Sequence, residues 1–448
     1  MRRFRWTAIL TVVALASVGS ATAAVAASSG GRAAAGPPPT ATEVGVTSSE
    51  IHIAVVADVD NTLQPGLFRG SVAGVRSFAS YINSLGGIGG RKVVVDFIDS
   101  HLSNSEARNA VIRACSQDFA LVGTSALFLN NVDDLLSCKD QSGQTTGLPD
   151  IPVVATEIVQ QCSPTSFPIN PPQIVCGTRA QHPQTYQANA GRYFYYAKKF
   201  GKNLHGVYLY TGDLKSAHDA NQVTGTALQN LGVKADLATS ISALAPQSGY
   251  TPAAQSMKSK GSNFAEVELA YSQTVDLRKE AALQGVTDPK ILWSCTVQCY
   301  NPQFLSQGGA SVEGQHISLG FLPFEEPKAN KAVAAFDKYT PADERDGFAA
   351  DGFAAGLALR DAANAVVKQS GTNGLTRKAL LSALNNLTAF NGDGMFGTTN
   401  IGGRVPSDCY MIVQVKNGKY VREFPTKPGT LDCTKRNVVN FKLDLGTG

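Results

Sequence analysis

The sequence predicts an α/β protein built as two doubly wound parallel-sheet lobes joined by a multi-crossover hinge. Three observations carry this reading. From Ile51 onward, short β-branched runs alternate with amphipathic helical stretches, the pattern of parallel strands covered by helices on both faces. The alternation breaks in a proline-rich segment, residues 157–184, and then restarts as a second unit of similar build. The segments beyond Gly314 are too few for a third domain, so they must complete the two earlier ones. The chain therefore crosses between lobes more than once, which makes a hinge and leaves a cleft suited to a small ligand.

Taken in order, residues 51–57 read as a buried strand. Phe68, Val72, Val75, Ala79 and Ile82 then recur at three- and four-residue steps on one helix face, which Gly86 and Gly87 end. Strands follow at 92–98, 119–122 and near Val153, with helices at 105–116 and 132–138. In the second unit, helices at 186–200, 215–231, 251–260 and 274–284 alternate with strands at 205–210, 233–238, 264–269 and 291–293. Beyond Gly314 come a strand near 315–320 and helices at 330–339, 347–369 and 375–387. Antiparallel strands are expected at 395–404, 408–415 and 420–424, the last two joined through the Asn417-Gly418 turn.

The amino terminus places Arg2, Arg3 and Arg5 before an uncharged apolar run, residues 9–18, and Ala24, Val25 and Ala26 fit a signal-peptidase site. Residues 1–26 are expected to be a cleaved signal peptide; an uncleaved anchor is the alternative, against which the run is short for a membrane span. The first cysteine is Cys115, so no lipid-attachment site accompanies the signal. The expected location is periplasmic, cell-envelope or extracellular. Residues 27–47, rich in Ala, Gly and Pro, read as a disordered linker. The net charge of +4 falls to about +1 without the signal's three arginines, and no basic cluster invites nucleic acid.

The eight cysteines in an exported chain imply disulfides. Sequence does not fix their connectivity; nearest-neighbour pairing is expected, joining Cys115 to Cys138, Cys162 to Cys176, Cys295 to Cys299 and Cys409 to Cys433. The rival, a zinc site, lacks a second closely spaced Cys or His pair. The glycines at 86–90 follow a helix rather than a strand and fail as a dinucleotide loop. Asp58, Asp60 and Asn61 lack the later ligands of a calcium loop. Nucleophile-elbow, zincin and P-loop motifs are absent. The histidines, His52, His101, His182, His205, His218 and His316, are dispersed. No catalytic residue, metal or cofactor is expected.

Particular residues add to the pattern. IHIAVVAD (residues 51–58) followed by YINSLGGIGGRKVVV (81–95) resembles the opening of the type I periplasmic binding proteins, the solute receptors of branched-chain amino-acid and amide ABC transporters. Asn83, Gly86, Gly87, Ile88, Gly90 and Arg91 match that family's N-x-x-GG-[IV]-x-GR turn. ALVGTSA (120–126), IPVVAT (151–156), LRKEAALQGV (277–286) and FLSQGGASVEG (304–314) are similar to four further landmarks in the same order. The resemblance spans about residues 48–415. It implies one lobe of residues 48–178 with 322–398, and another of 179–321 with 399–448.

It also implies a Venus-flytrap receptor that closes on a small polar solute and docks on an ABC permease as a monomer. A sensor for a membrane signalling protein and a secreted hydrolase are the rival readings. Strand-to-helix turns offer unpaired amides to a ligand, and Ser125 and Thr156 add hydroxyls where the family grips a carboxylate. Gln64, Pro65, Ser100, His101 and Ala155 lie in the neighbouring turns of the first lobe; Tyr271 and Thr296 stand on the second. The family's amino-acid binders place an acid shortly after the strand ending at Trp293. Here Ser294, Cys295 and Thr296 stand instead, which makes an ordinary branched-chain amino acid doubtful unless Asp58, Asp60, Asp99 or Glu268 serves.

Overall fold

The computed structural model describes residues 37–445 apart from Leu63, Pro172, Leu214 and Leu269; the expected signal peptide lies outside the described residues. The first sheet contains β1 (Glu50–Ala57), β2 (Lys92–Asp99), β3 (Ala120–Val122) and β4 (Asp150–Ile151), all parallel, in the order β2-β1-β3-β4. The helices Arg69–Ser84 and Gly347–Ser370 cover one face and Asn104–Gln117 the other. β1 is apolar over most of its length because both faces are covered: five consecutive residues, 53–57, have no exposed surface.

β5 (Gln184–Asn189) leaves the first lobe as a crossover. The second sheet follows with β6 (His205–Thr211), β7 (Lys234–Ile241), β8 (Phe264–Glu268), β9 (Leu292–Cys295) and β10 (His316–Leu319), parallel in the order β7-β6-β8-β9-β10. β11 (Cys409–Lys416) extends it antiparallel to β10, with β12 (Lys419–Phe424) beyond and β13 (Asp432–Cys433) beside β11. β14 (Val438–Leu443) returns to pair with β5 along its whole length, from Val438 opposite Asn189 to Leu443 opposite Gln184. Each lobe is therefore doubly wound, and the expected disulfides all form, Cys115–Cys138, Cys162–Cys176, Cys295–Cys299 and Cys409–Cys433.

Four local expectations need correction. Residues 37–47 do not behave as a disordered linker: the buried Arg91 guanidinium donates to the carbonyls of Thr40 and Thr47 at 2.7 Å, and Glu43 and Val46 are buried. A guanidinium without surface exposure must have acceptors, and this segment supplies two of them. Arg91 and Asn83, whose side chain pairs with both backbone groups of Val93 at 2.8 Å, give the glycine-rich turn a structural role. Residues 184–189 form a strand, with the helix starting only at Gly191, because β14 offers a ladder that local sequence does not reveal. Residues 395–404 make isolated bridges rather than a strand. The helix expected at 132–138 is limited to Asp133–Leu136.

Candidate functional site

Both strand orders reverse once, between β1 and β3 and between β6 and β8, and ligands favour the carboxyl ends of strands at such points. In the first lobe that position is already filled by protein. Asp58, directly after β1, is buried and accepts the Ser100 hydroxyl at 2.6 Å and the Leu102 and Leu127 amides at 2.8 Å. Ser125 is wholly buried, donating to Ser71 Oγ at 2.8 Å and the Gly123 carbonyl at 3.1 Å. Ser100 and Ser125 are thus internal partners rather than cleft residues, because a buried carboxylate draws in whatever donors its turn carries.

The other expected contacts divide. Gln64 and Pro65 stay in the 58–68 turn, where the Gln64 amide donates to Asn61 Oδ1 at 2.8 Å, away from the cavity described below. His101 is exposed, its ring against the Asp60 carbonyl at 2.9 Å. Tyr271 opens the helix Tyr271–Leu283; its ring packs on the core and its hydroxyl accepts from Gln307 Nε2 at 3.4 Å. None of these four lines the cavity.

Ala155 and Thr296 do. They face each other across an interlobe cavity of 440 Å³ that also presents Gln161, Asn170 and Phe390 from one side and Arg192, Asn221 and Glu268 from the other. Thr156 lines a separate cavity of 650 Å³, together with Glu157, His182, Lys215 and Asp219. The Gln161 side chain fixes the backbone of both residues, donating to the carbonyls of Ala155 at 2.9 Å and Thr156 at 3.0 Å. The Cys295–Cys299 bond stiffens the wall that carries Thr296 and Val297.

Among the described residues, Arg192 and Glu268 are the only charged ones in the lining of the inner cavity. Glu268 and Glu266 stand two apart on β8 and so share a face. Arg192 Nη2 lies 2.6 Å from Glu266 Oε1 and 3.2 Å from Glu268 Oε1, and the Tyr193 hydroxyl donates to Glu266 at 2.7 Å. Glu266 is fully buried, with its second oxygen unpartnered. Two carboxyls thus share one guanidinium. Burial pushes the Glu268 carboxyl above the usual range against the pull of Arg192, and the neighbouring Glu266 adds to the rise. Burial also pushes the Tyr193 phenol well above its ordinary range, so it stays a donor.

Sequence reasoning named Glu268 as a substitute acid but missed Arg192, Tyr193 and Glu266. The available signal was FAEVELA, in which two glutamates alternate with apolar residues on a strand buried on both faces and so require a buried cation. Among the described residues, one grouping has metal-ligand character, Asp408 with Cys409 and Cys433, and both its sulfurs are tied in a disulfide.

Two doubly wound lobes around a polar interlobe cavity define a cleft-binding protein of the Venus-flytrap class. Residues 50–419 match the family model described as periplasmic binding protein, and the chain belongs to that family of solute-binding proteins, with the type I, leucine-binding-protein-like fold. No curated protein sequence matches it. Among solved structures it is similar to a leucine-binding protein from Thermotoga maritima, with a TM-score of 0.63 and 16% identity over 83% of this chain and 97% of that one. An ABC transporter substrate-binding protein from Aeropyrum pernix gives a TM-score of 0.65 and 15% identity, covering 87% and 97%. A fatty-acid ABC transporter substrate-binding protein from Thermomonospora curvata gives 0.62 and 16%, covering 86% and 97%. Likeness at these identities speaks to the fold. Among the described residues no helix is long and apolar enough to cross a membrane.

Proposed function

We propose that this chain is the extracytoplasmic solute-binding component of an ABC importer, that it closes its lobes on a small polar solute, and that the solute carries a protonated amine. The lobes that move are residues 48–178 with 322–398 against 179–321 with 399–448; the pairing of the helices Arg69–Ser84 and Gly347–Ser370 supports this division. The observation that carries the reading is the pair of charges in the interlobe cavity, Arg192 and Glu268, with Glu266 behind them. One guanidinium among two carboxyls leaves room for a second cation, and a solute amine beside Glu268 supplies it. Arg192 meets an acidic group of the same solute, as a carboxylate favours a planar fork of donors. The amides of Gln161, Asn170, Gln187 and Asn189 in the lining suit a hydrogen-bonding solute better than a long alkyl chain. Ala155, Thr156 and Thr296 are the expected contacts that fit this pose. The closed form is favoured only by tighter binding to it than to the open one.

A thermal-shift panel of amino acids, amides, short carboxylates, aromatics, sugars and fatty acids tests the reading. At about 100 times its dissociation constant the cognate solute stabilises by about 2.7 kcal/mol. Glu268→Gln weakens it about tenfold or more, without lowering the melting point of the free protein. A panel without a single stabilising solute, or a best ligand without an amine whose affinity Glu268→Gln leaves intact, overturns the proposal.

A further inference from the structure

The second lobe carries another cavity, of 530 Å³, at the far end of its sheet. Strand direction fixes the relation. Leu319 ends β10 in the interlobe cavity, whereas His316 begins the same strand in this one. The walls come from the helix Tyr271–Leu283, residues 310–314, and the end of β11, so every contributing element belongs to the second sheet or packs upon it.

Its polar groups are incompletely used. Arg278 donates Nε to the Ser311 carbonyl at 2.6 Å and Nη2 to the Glu313 carbonyl at 2.7 Å, while Nη1 is buried without an acceptor. The guanidinium lies 4.4 Å from the centre of the Trp293 ring. His316 is 3% exposed; its ring lies by the Gly314 backbone, and neither ring nitrogen makes a hydrogen bond of ordinary geometry. Its ring packs edge-on against Tyr196 and Phe200, at 5.9 and 5.5 Å between centres. Burial, with Lys199, Lys416 and Arg278 nearby, outweighs the Gly314 backbone and pushes the His316 imidazole down to about 3, so the ring is neutral and keeps one N–H donor.

The acids of the lining are occupied. Glu313 accepts the Asn417 amide at 2.9 Å and the Gly418 amide at 3.5 Å, and Asp288 accepts the Lys290 amide at 2.8 Å. Spare capacity therefore lies with donors, Arg278 Nη1, the His316 ring and Lys416, the last already 3.0 Å from Glu423. Phe200, Ile291 and Trp293 supply apolar wall.

We infer that this cavity is a second binding site, for a small organic carboxylate with an apolar body, whose oxygens take Arg278 Nη1 and the His316 N–H. A bound carboxylate gives both orphaned groups a partner, and its body covers the Trp293 side of the cavity. Since one lobe alone forms the site, its ligand has equal affinity for open and closed forms. It leaves binding in the interlobe cavity unchanged.

The chain offers a direct reporter, because Trp293 is one of two tryptophans and Trp6 lies in the expected signal peptide. In the full chain carrying Trp6→Phe, Trp293 emission is followed while benzoate is added, with benzamide as the neutral isostere. A saturable change with benzoate below ~10 mM, at least about tenfold weaker with benzamide, is expected. Lys416→Met, at a half-exposed side chain, weakens benzoate a few-fold with an unchanged melting curve, and His316→Phe abolishes the saturable change. Absence of saturation with the starting protein, equal binding of benzamide, or a benzoate response indifferent to both substitutions overturns the inference.

Discussion

Replacing Arg192 by Met removes the single guanidinium shared by Glu266 and Glu268 and leaves a side chain of similar reach without charge. The structure sets the size of the effect. Arg192 and Glu268 have side chains only 13% and 15% exposed and Glu266 has 0%, so water screens the cluster poorly. Breaking such a buried pair costs about 3–5 kcal/mol if the orphaned carboxyls stay ionised. Glu268 has an escape, which is to bind a proton, and that makes the cost depend on pH. A carboxyl whose folded pKa is raised above the unfolded value holds more protons when folded. Its contribution is fully present below the unfolded pKa, 4.5 for Glu268, and is lost as pH rises through the folded pKa. Without Arg192 the folded Glu268 value rises beyond about 8, so above that pH the starting protein gives up a proton that the variant keeps, and the deficit widens by about 1.4 kcal/mol per pH unit. Urea unfolding followed by circular dichroism at pH about 5, 7 and 9.5 should show a deficit relative to the starting protein that is level at the first two values and larger by about 2 kcal/mol at the highest, above the folded Glu268 pKa of about 8. A deficit equal at all three values refutes the idea of two carboxyls sharing one cation.

Two more predictions concern the first lobe. The helices Arg69–Ser84 and Gly347–Ser370 touch at Gly352, where an added Cβ would sit 2.4 Å from the Ser71 carbonyl oxygen, so Gly352→Ala should destabilise by about 1–3 kcal/mol despite alanine's better helix propensity, read as a lower melting temperature. Asp118 is buried, and burial with Asp96 alongside pushes its carboxyl up to about 7 from 3.8, so its contribution to stability is present below about 3.8 and lost as pH rises through about 7. Asp118→Asn should therefore match the starting protein near pH 4 and exceed it by about 1–3 kcal/mol near pH 8, as measured by urea unfolding at both values.

What the sequence revealed and what it hid follow from how local each signal is. Runs such as IHIAVVA declare a buried parallel strand by composition alone, and the alternation with apolar-striped helices was sufficient for the two-lobed fold. The pairing of neighbouring cysteines was legible for the same reason, since each bond links segments close in the chain. The β5–β14 ladder was not, because neither partner announces the other across the intervening chain. Among the residues expected from their turns, Ala155 and Thr296 line the interlobe cavity and Thr156 lines another. Ser100 and Ser125 occupy equivalent turns but were drawn inward by Asp58 and Ser71, a tertiary choice that turn chemistry does not announce. The cation of the interlobe cavity, Arg192, comes from a helix start whose sequence, GRYFYY, reads as an ordinary amphipathic opening.

The β5–β14 ladder bears on when the molecule becomes whole. Phe441 and Leu443 join Ile174, Tyr186 and Val223 in one small apolar cluster, beside the Cys162–Cys176 bond. Residues 184–189 therefore wait for a partner made some 250 positions later. During synthesis both sheets can assemble their parallel strands while this first crossover has backbone partners on one edge alone, residues 173–175. The joint between the two bodies is completed after the bodies themselves, and a chain stopped short of Val438 would carry both sheets with that joint unfinished.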